Sequence, residues 1–349
     1  MNIWNAKISL HGAPMGVSCA VEQLIPQIDR ILRPFKVGPA VPDTSGTAGP
    51  TVAQLPANSS MASGIIRPFE EGEVLRHLSA RARRLPMPDP SLELYQDCER
   101  FWIVDERWGI AEMNLLKAQW RSWVLPNCLL DSYHLAEGAM LWPMAQIMRQ
   151  RKLHLVPAAS IVREGWGVLL VCPFSLEPEL TRLIKSGWRI IGQRWTALRE
   201  RDGTIEMLHM PGPIEKAKSL ALRRRGTGSA IRWTDLTQEF RGCQEKSALC
   251  HAILIGEPGR RSSPRFTDLP IPQAQESLRH HWPIADVHAA PRCGMLANRL
   301  AQLCRCAQMQ LSHNPADLVM MLESARTSEP QAGPRVTISI SDPKWQTAA

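Results

Sequence analysis

Apolar and polar positions divide this chain into segments of different kinds. Ile8–Val17 alternates as a strand does, interrupted at Gly12 and Pro14. Val21, Leu24, Ile25, Ile28, Ile31 and Leu32 then recur at three- and four-residue steps, which puts them on one face of a helix. Residues 37–64 are rich in Gly, Pro, Ser, Thr and Ala, with Asp43 the only charge. Such a stretch has too little apolar side chain to order itself and reads as a flexible linker or long loop. A helix is expected over Gly72–Arg84. Phe101–Val104 and Ile110–Leu116 read as a hairpin around Asp105–Gly109, followed by a helix over Asp131–Arg149. In the second half come an apolar run (Leu153–Val162), a buried strand (Val168–Val171), a short turn and a helix closed by Gly187. A hairpin follows, Thr196–Glu200 and Thr204–Leu208, joined through Asp202-Gly203, a strong turn signal.

The strand, turn and helix of residues 165–187 have the frame of a phosphate-binding loop, G-x-x-x-x-G-K-[ST], but not its letters. Cys172 stands at the first Gly, Glu177 at the second, Pro178 at the Lys and Glu179 at the Ser/Thr. A phosphate cradle needs bare backbone N–H groups at a helix N-terminus, and Pro178 removes one. Glu177 and Glu179 put two carboxylates in the first turn, where the helix dipole favours negative charge. A phosphate arriving there would meet like charge at about 4 kcal/mol per pair, for a 4 Å separation and an effective dielectric near 20. Taken locally, the same letters also suit an ordinary strand–turn–helix with Pro and acids in its first turn.

The surrounding order adds to this. Leu153-His154-Leu155-Val156-Pro157-Ala158-Ala159-Ser160-Ile161-Val162 precedes the turn. Gly187-Trp188-Arg189-Ile190-Ile191-Gly192-Gln193-Arg194-Trp195 follows the helix, and Pro211-Gly212-Pro213-Ile214 follows the hairpin. This order resembles the C-terminal domain of the HPr kinase/phosphorylase family, with its phosphoenolpyruvate-carboxykinase type of P-loop fold, over about residues 150–325. Ala252-Ile253-Leu254-Ile255 is similar to a further strand of that domain. Gln308–Ala325 is similar to its closing strand and helix, with Asn314-Pro315-Ala316-Asp317 as the helix start. The resemblance implies an α/β fold: an HPr-kinase-like mixed sheet carrying a strand–turn–helix P-loop remnant, plus an N-terminal α+β region over 1–149 and a tail over 326–349. The family's paired aspartates, which serve magnesium binding and activation of the attacking hydroxyl, would fall at Gln193 and Arg194. A neutral amide and a cation do neither. With the phosphate Lys and magnesium Ser/Thr also absent, the resemblance implies a degenerate, pseudokinase-like member with no catalytic residues and no cofactor.

Charge sharpens the expectation about partners. The chain has 349 residues and a formal net charge of +8. Residues 214–266 hold eleven Lys and Arg against five acids, and so carry +6 of it. Arg223, Arg224 and Arg225 form the densest knot, and the resemblance implies that Lys216 or Lys218 lines the remains of the cleft. Together with Arg194 these are the candidate anion- or partner-binding residues. A charge run is also commonly just a solvated face; the functional reading is a landing surface for an acidic protein or peptide. No helix-turn-helix, RNA-recognition or zinc-finger pattern is present, so specific nucleic-acid reading is not expected. His280, His281, His288 and Cys293 match no zinc spacing. Nine scattered Cys without a CxxC pair suggest reduced thiols and a cytoplasmic setting. Met1–Leu10 lacks the apolar stretch of a signal peptide, and no apolar run reaches the roughly 20 residues of a membrane span. Trp is abundant at twelve, and its N–H groups want partners when buried.

Two functions are compatible with these residues. One is a non-catalytic binding or regulatory protein contacting an acidic protein or peptide. The alternative is an atypical ATP-dependent serine kinase or phosphotransferase of the HPr kinase type, using ATP and magnesium, that holds nucleotide through Arg194, Lys216 and Arg223–Arg225.

Overall fold

His11 (φ 48°) and Gly12 (φ 91°) are both left-handed, the two-residue turn whose twist matches that of antiparallel strands. The stretch expected as one interrupted strand is therefore a hairpin of β1 (Trp4–Leu10) and β2 (Ala13–Cys19). The computed structural model describes residues 3–37, 61–69, 81–85, 92–98, 100–126, 128, 130–216, 232–262, 264–281 and 294–328. Six more strands complete the first sheet: β3 (Ala62–Pro68), β4 (Arg83–Leu85), β5 (Leu92–Asp97), β6 (Arg100–Asp105), β7 (Gly109–Asn114) and β8 (Gln119–Val124). Their order is β1-β2-β3-β8-β7-β6-β5-β4.

Two expectations change here. β3 lies between β2 and β8, parallel to both, so residues 62–64 belong to a central strand and not to a linker. Gly64 permits this, because a Cβ there would sit 2.0 Å from the Trp120 ring. Arg83 and Arg84, expected as the end of a helix, instead pair antiparallel with β5; the rest of that expected helix is almost wholly outside the described residues. The hairpin of residues 100–116 forms as β6 and β7.

One face of this sheet is apolar. Ile8, Leu10, Met15, Val17, Ile66, Ile103, Met113 and Trp120 are buried on it. It is covered by α1 (Ile25–Leu32) and by one continuous helical run: α2 (Ser132–Ala136), a π-helical turn (Glu137–Leu141) and α3 (Trp142–Arg149). Asp131 caps the run, accepting from the backbone N–H of Tyr133 (3.0 Å) and His134 (3.1 Å). Trp102 and Trp120 are fully buried, yet their indole N–H groups have no hydrogen-bond partner among the described residues, unlike the general expectation for buried indoles.

The second sheet is mixed. Its strands are β9 (Leu153–Val156), β10 (Ala159–Arg163), β11 (Trp166–Val171), β12 (Arg189–Gly192), β13 (Thr196–Arg201) and β14 (Thr204–Leu208), then β17 (Ser247–Arg261), β18 (Arg265–Asp268) and β19 (Arg305–Ser312). Between β14 and β17, β15 (Ile214–Glu215) and β16 (Trp233–Thr234) form a separate two-stranded ladder. The order is β12-β10-β11-β17-β14-β13-β9, with β19 against β17 and β18 against β19. β11 and β19 run parallel to β17 on either side. Asp202 (φ 52°) and Gly203 (φ 75°) make the expected turn between β13 and β14.

Helices cover both faces. α4 (Glu177–Lys185) and α8 (Ala316–Ser328) pack Leu180, Leu183, Leu318 and Leu322 on Val168 and Leu170. α6 (Ile271–His281) and α7 (Gly294–Leu303) pack Leu278 and Leu300 on Leu169 and Val171. The alternation along β11 thus feeds two cores. α5 (Leu236–Glu239) is a single turn after β16. The core of the first sheet does not end at residue 149: Leu153, Leu155, Trp195, Ala197, Leu208 and Met210 belong to it. Among the described residues no helix is long and apolar enough to cross a membrane.

Candidate functional site

Cys172, Glu177, Pro178 and Glu179 lie at the carboxyl end of β11 and the start of α4, and Gln193 and Arg194 at the turn between β12 and β13. α4 ends as its sequence dictates: Gly187 (φ 90°) lets the Trp188 N–H reach back to Leu183 O at 3.0 Å. At the other end Leu176 precedes the first helical residue, Glu177, and Pro178 is in the first turn. Ser175 Oγ accepts from the Glu177 N–H at 3.3 Å and donates to Glu215 O, which ties the turn to β15. Cys172 and Phe174 pack on Gly256 of β17, where a Cβ would lie 2.5 Å from Cys172 Sγ. Burial holds the Cys172 thiol well above its ordinary pKa, and the neighbouring Glu179 adds to this.

Glu179 is fully buried. Arg260 Nη1, from β17, lies 2.6 Å from its Oε1, while the same nitrogen donates to Ser312 O at 2.8 Å. The approach to Glu179 lacks hydrogen-bond alignment, so the pair is held by charge, and neither carboxylate oxygen has a hydrogen-bond partner among the described residues. A single ion pair thereby joins the start of α4 to the ends of β17 and β19. It sets a buried carboxylate in the first turn of α4, with a half-buried cation against it.

Gln193 and Arg194 also face inward. Gln193 Oε1 accepts from the Leu236 N–H and its Nε2 donates to Asp235 Oδ1, both at 2.8 Å. Asp235 caps α5 through Thr237 and accepts from Arg30 Nη2 at 3.0 Å. Burial opposes ionisation of Asp235, but hydrogen bonds from Thr237, Gln193 and Arg30 outweigh it and leave the carboxyl below its ordinary pKa. Arg194 makes a two-pronged pair with Glu137, Nε to Oε1 at 3.0 Å and Nη2 to Oε2 at 2.9 Å. The Trp195 indole donates to the same Oε1 at 2.6 Å. The guanidinium also lies over the Trp233 ring at 5.3 Å and the Tyr133 ring at 6.0 Å. Burial alone would lower the Arg194 pKa; Glu137 more than offsets it and holds the charge in place.

Sequence reasoning found these positions but not their partners. Glu137, Asp235, Arg30 and Arg260 are remote in the chain, and nothing in their local sequence marks them. Lys216 is exposed, and its N–H donates to Arg232 O at 2.7 Å beside the β15–β16 ladder. Lys218, Arg223, Arg224 and Arg225 lie outside the described residues, as do His288 and Cys293. His280 and His281 are ring neighbours on α6. Among the described residues no three or more His, Cys, Asp or Glu side chains are placed to hold a metal ion.

No protein-family model matches the chain, and no curated protein matches its sequence. Among solved structures it is similar to the Hpr(Ser) kinase/phosphatase from Coxiella burnetii, at 13% identity and a TM-score of 0.30. That match covers 50% of this chain and 97% of the other. The likeness is distant and by itself settles neither fold nor chemistry. The α/β architecture stands on the sheets and helices described above.

Proposed function

We propose that this protein is a non-catalytic, pseudokinase-like binding or regulatory protein that contacts an acidic protein or peptide. The observation that supports it best is Glu179 against Arg260. A buried carboxylate in the first turn of α4 puts negative charge near the end at which a phosphate-binding helix would meet its ligand. Arg194 points the same way, because its fork is engaged by Glu137 and so is not free for a nucleotide. The acidic partner follows from the net +6 of residues 214–266.

A melting curve with millimolar magnesium–ATP tests the first half. No shift is expected. A saturable rise would favour the alternative, an atypical phosphotransferase, since ligand at 100 times its dissociation constant adds about 2.7 kcal/mol. Co-purification at low salt, with and without the triple substitution Arg223→Ser, Arg224→Ser, Arg225→Ser, tests the second half. The partner should be acidic, lost at high salt, and captured more slowly by the variant. Equal capture by both proteins would refute the landing surface.

A further inference from the structure

The turn of the β1–β2 hairpin reaches the second sheet through one side chain. His11 Nε2 lies 2.8 Å from the backbone oxygen of His209, and the ring meets Phe35 edge-on at 5.1 Å. His209 in turn directs Nδ1 at Ile191 O, 2.5 Å away, on β12. Its own N–H donates to Lys246 O at 2.9 Å. Both acceptors are carbonyls, so each imidazole must donate through that one nitrogen, which a neutral ring can do. This relay runs from the first hairpin to β12, the strand that leads into Gln193 and Arg194. It also abuts Met210, where the chain turns toward Pro211–Ile214.

We propose that His11 and His209 form an acid-sensitive clasp, which holds the β1–β2 hairpin on the second sheet while both rings are neutral and releases it when they are protonated. A second proton on either ring adds an N–H and a full charge at a half-buried junction. The groups that face His11 are His209, Arg199 and Glu206; those that face His209 are Asp235 and His11. Glu206 is already engaged by Arg199 at 2.6 Å, and Asp235 by Arg30, Gln193 and Thr237. Neither carboxylate is therefore unpaired and ready to receive an imidazolium. The two rings also repel each other once charged. Desolvation by burial lowers the affinity of both rings for a proton in the docked state, more than their carbonyl hydrogen bonds raise it.

The sign follows. Both histidines bind protons more weakly docked than released, so docking is at full strength above the ordinary value of 6.5. It weakens as pH falls below that value. If the docked rings stay neutral, the released fraction rises about tenfold per histidine at one pH unit below 6.5, and up to about a hundredfold for both.

Hydrogen–deuterium exchange on the full chain at pH 7.5 and 5.5, corrected for intrinsic rates, tests this. The His209 amide, bonded to Lys246 O at this junction, and the amides of 210–214 should lose protection at the lower pH, by up to about a hundredfold, while β10 and β11 keep theirs. Two non-titrating mimics of the donating nitrogens serve as controls. His11→Gln places an amide near Nε2, and His209→Asn places one near Nδ1; the double variant should show no selective loss. Unchanged protection of residues 209–214 in the wild type overturns the clasp, whatever the variants do. So does a selective loss that persists in the double variant. If the double variant does not fold, each single variant should show a loss of at most about tenfold, smaller than the wild type's, and a loss as large as the wild type's in either would equally overturn the pairing.

Discussion

The Glu137 carboxylate ties the first helical layer to the turn before β13, and removing it has a calculable effect. It receives Arg194 Nε at 3.0 Å, Arg194 Nη2 at 2.9 Å and Trp195 Nε1 at 2.6 Å. Hydrogen bonds to a charged group contribute about 1.5–3 kcal/mol each. Three of them overstate the loss, because Arg194 keeps 29% of its side-chain exposure and can be partly rehydrated. Breaking a buried pair by removing one partner costs about 3–5 kcal/mol, and that range is expected for Glu137→Ala. Urea unfolding at pH 7 reads it as a shift of midpoint at constant slope. Arg194→Met should cost a similar amount. The double variant Glu137→Leu, Arg194→Met should cost less than the sum by about 2 kcal/mol or more, since it leaves no stranded charge. Single-variant losses below about 1 kcal/mol, or full additivity in the cycle, would refute the claim that this pair fastens the first helical layer to the second sheet.

Other expectations are as specific. Gly64→Ala puts a methyl 2.0 Å from the Trp120 ring and should cost about 3 kcal/mol or more by overpacking, read by thermal melting. Gly187→Ala meets nothing within 4 Å, so it should cost only the left-handed backbone strain of about 1–2 kcal/mol; a larger loss would mean that Gly187 has a packing role. His154 is pulled down to about 4, by burial first and Arg149 second. Its neutral form therefore supports the fold above 6.5, and that support is lost as pH falls toward 4. A His154→Leu variant should be flatter than wild type between pH 6.5 and 4, by up to about 3 kcal/mol; parallel stability curves would refute this.

What could be read from the sequence was local. Asp202-Gly203 announced its hairpin because the turn residues themselves need a positive φ. Gly187 announced the end of α4 for the same reason. The hairpin at His11-Gly12 was hidden, because His is an uncommon residue for the left-handed position and Pro14 disguised the returning strand. β3 was hidden for another reason. Ala62, Gly64 and Ile66 form its buried face, and two of these three are too small to stand out from a Gly- and Ala-rich run. At the candidate site the unusual letters Glu179, Gln193 and Arg194 were visible, and what they displace could be argued from chemistry. Their uses were not visible. Glu179 is explained only by Arg260, Arg194 by Glu137, and Gln193 by the backbone of Leu236. Each partner lies more than forty residues away, beyond the reach of any periodicity.

The core that runs past residue 149 bears on how this protein could be divided. Leu155, Trp195, Ala197 and Met210 are carried by the second sheet but bury their surface under the first helical layer. A fragment starting at residue 150 would turn that surface toward water, and a fragment ending at 149 would leave Leu141, Met144 and Met148 without part of their cover. Exposed apolar patches of this kind favour association over folding. The halves are thus not portable cassettes. An excised second sheet is expected to associate through that uncovered surface, so its assays should include the N-terminal layer.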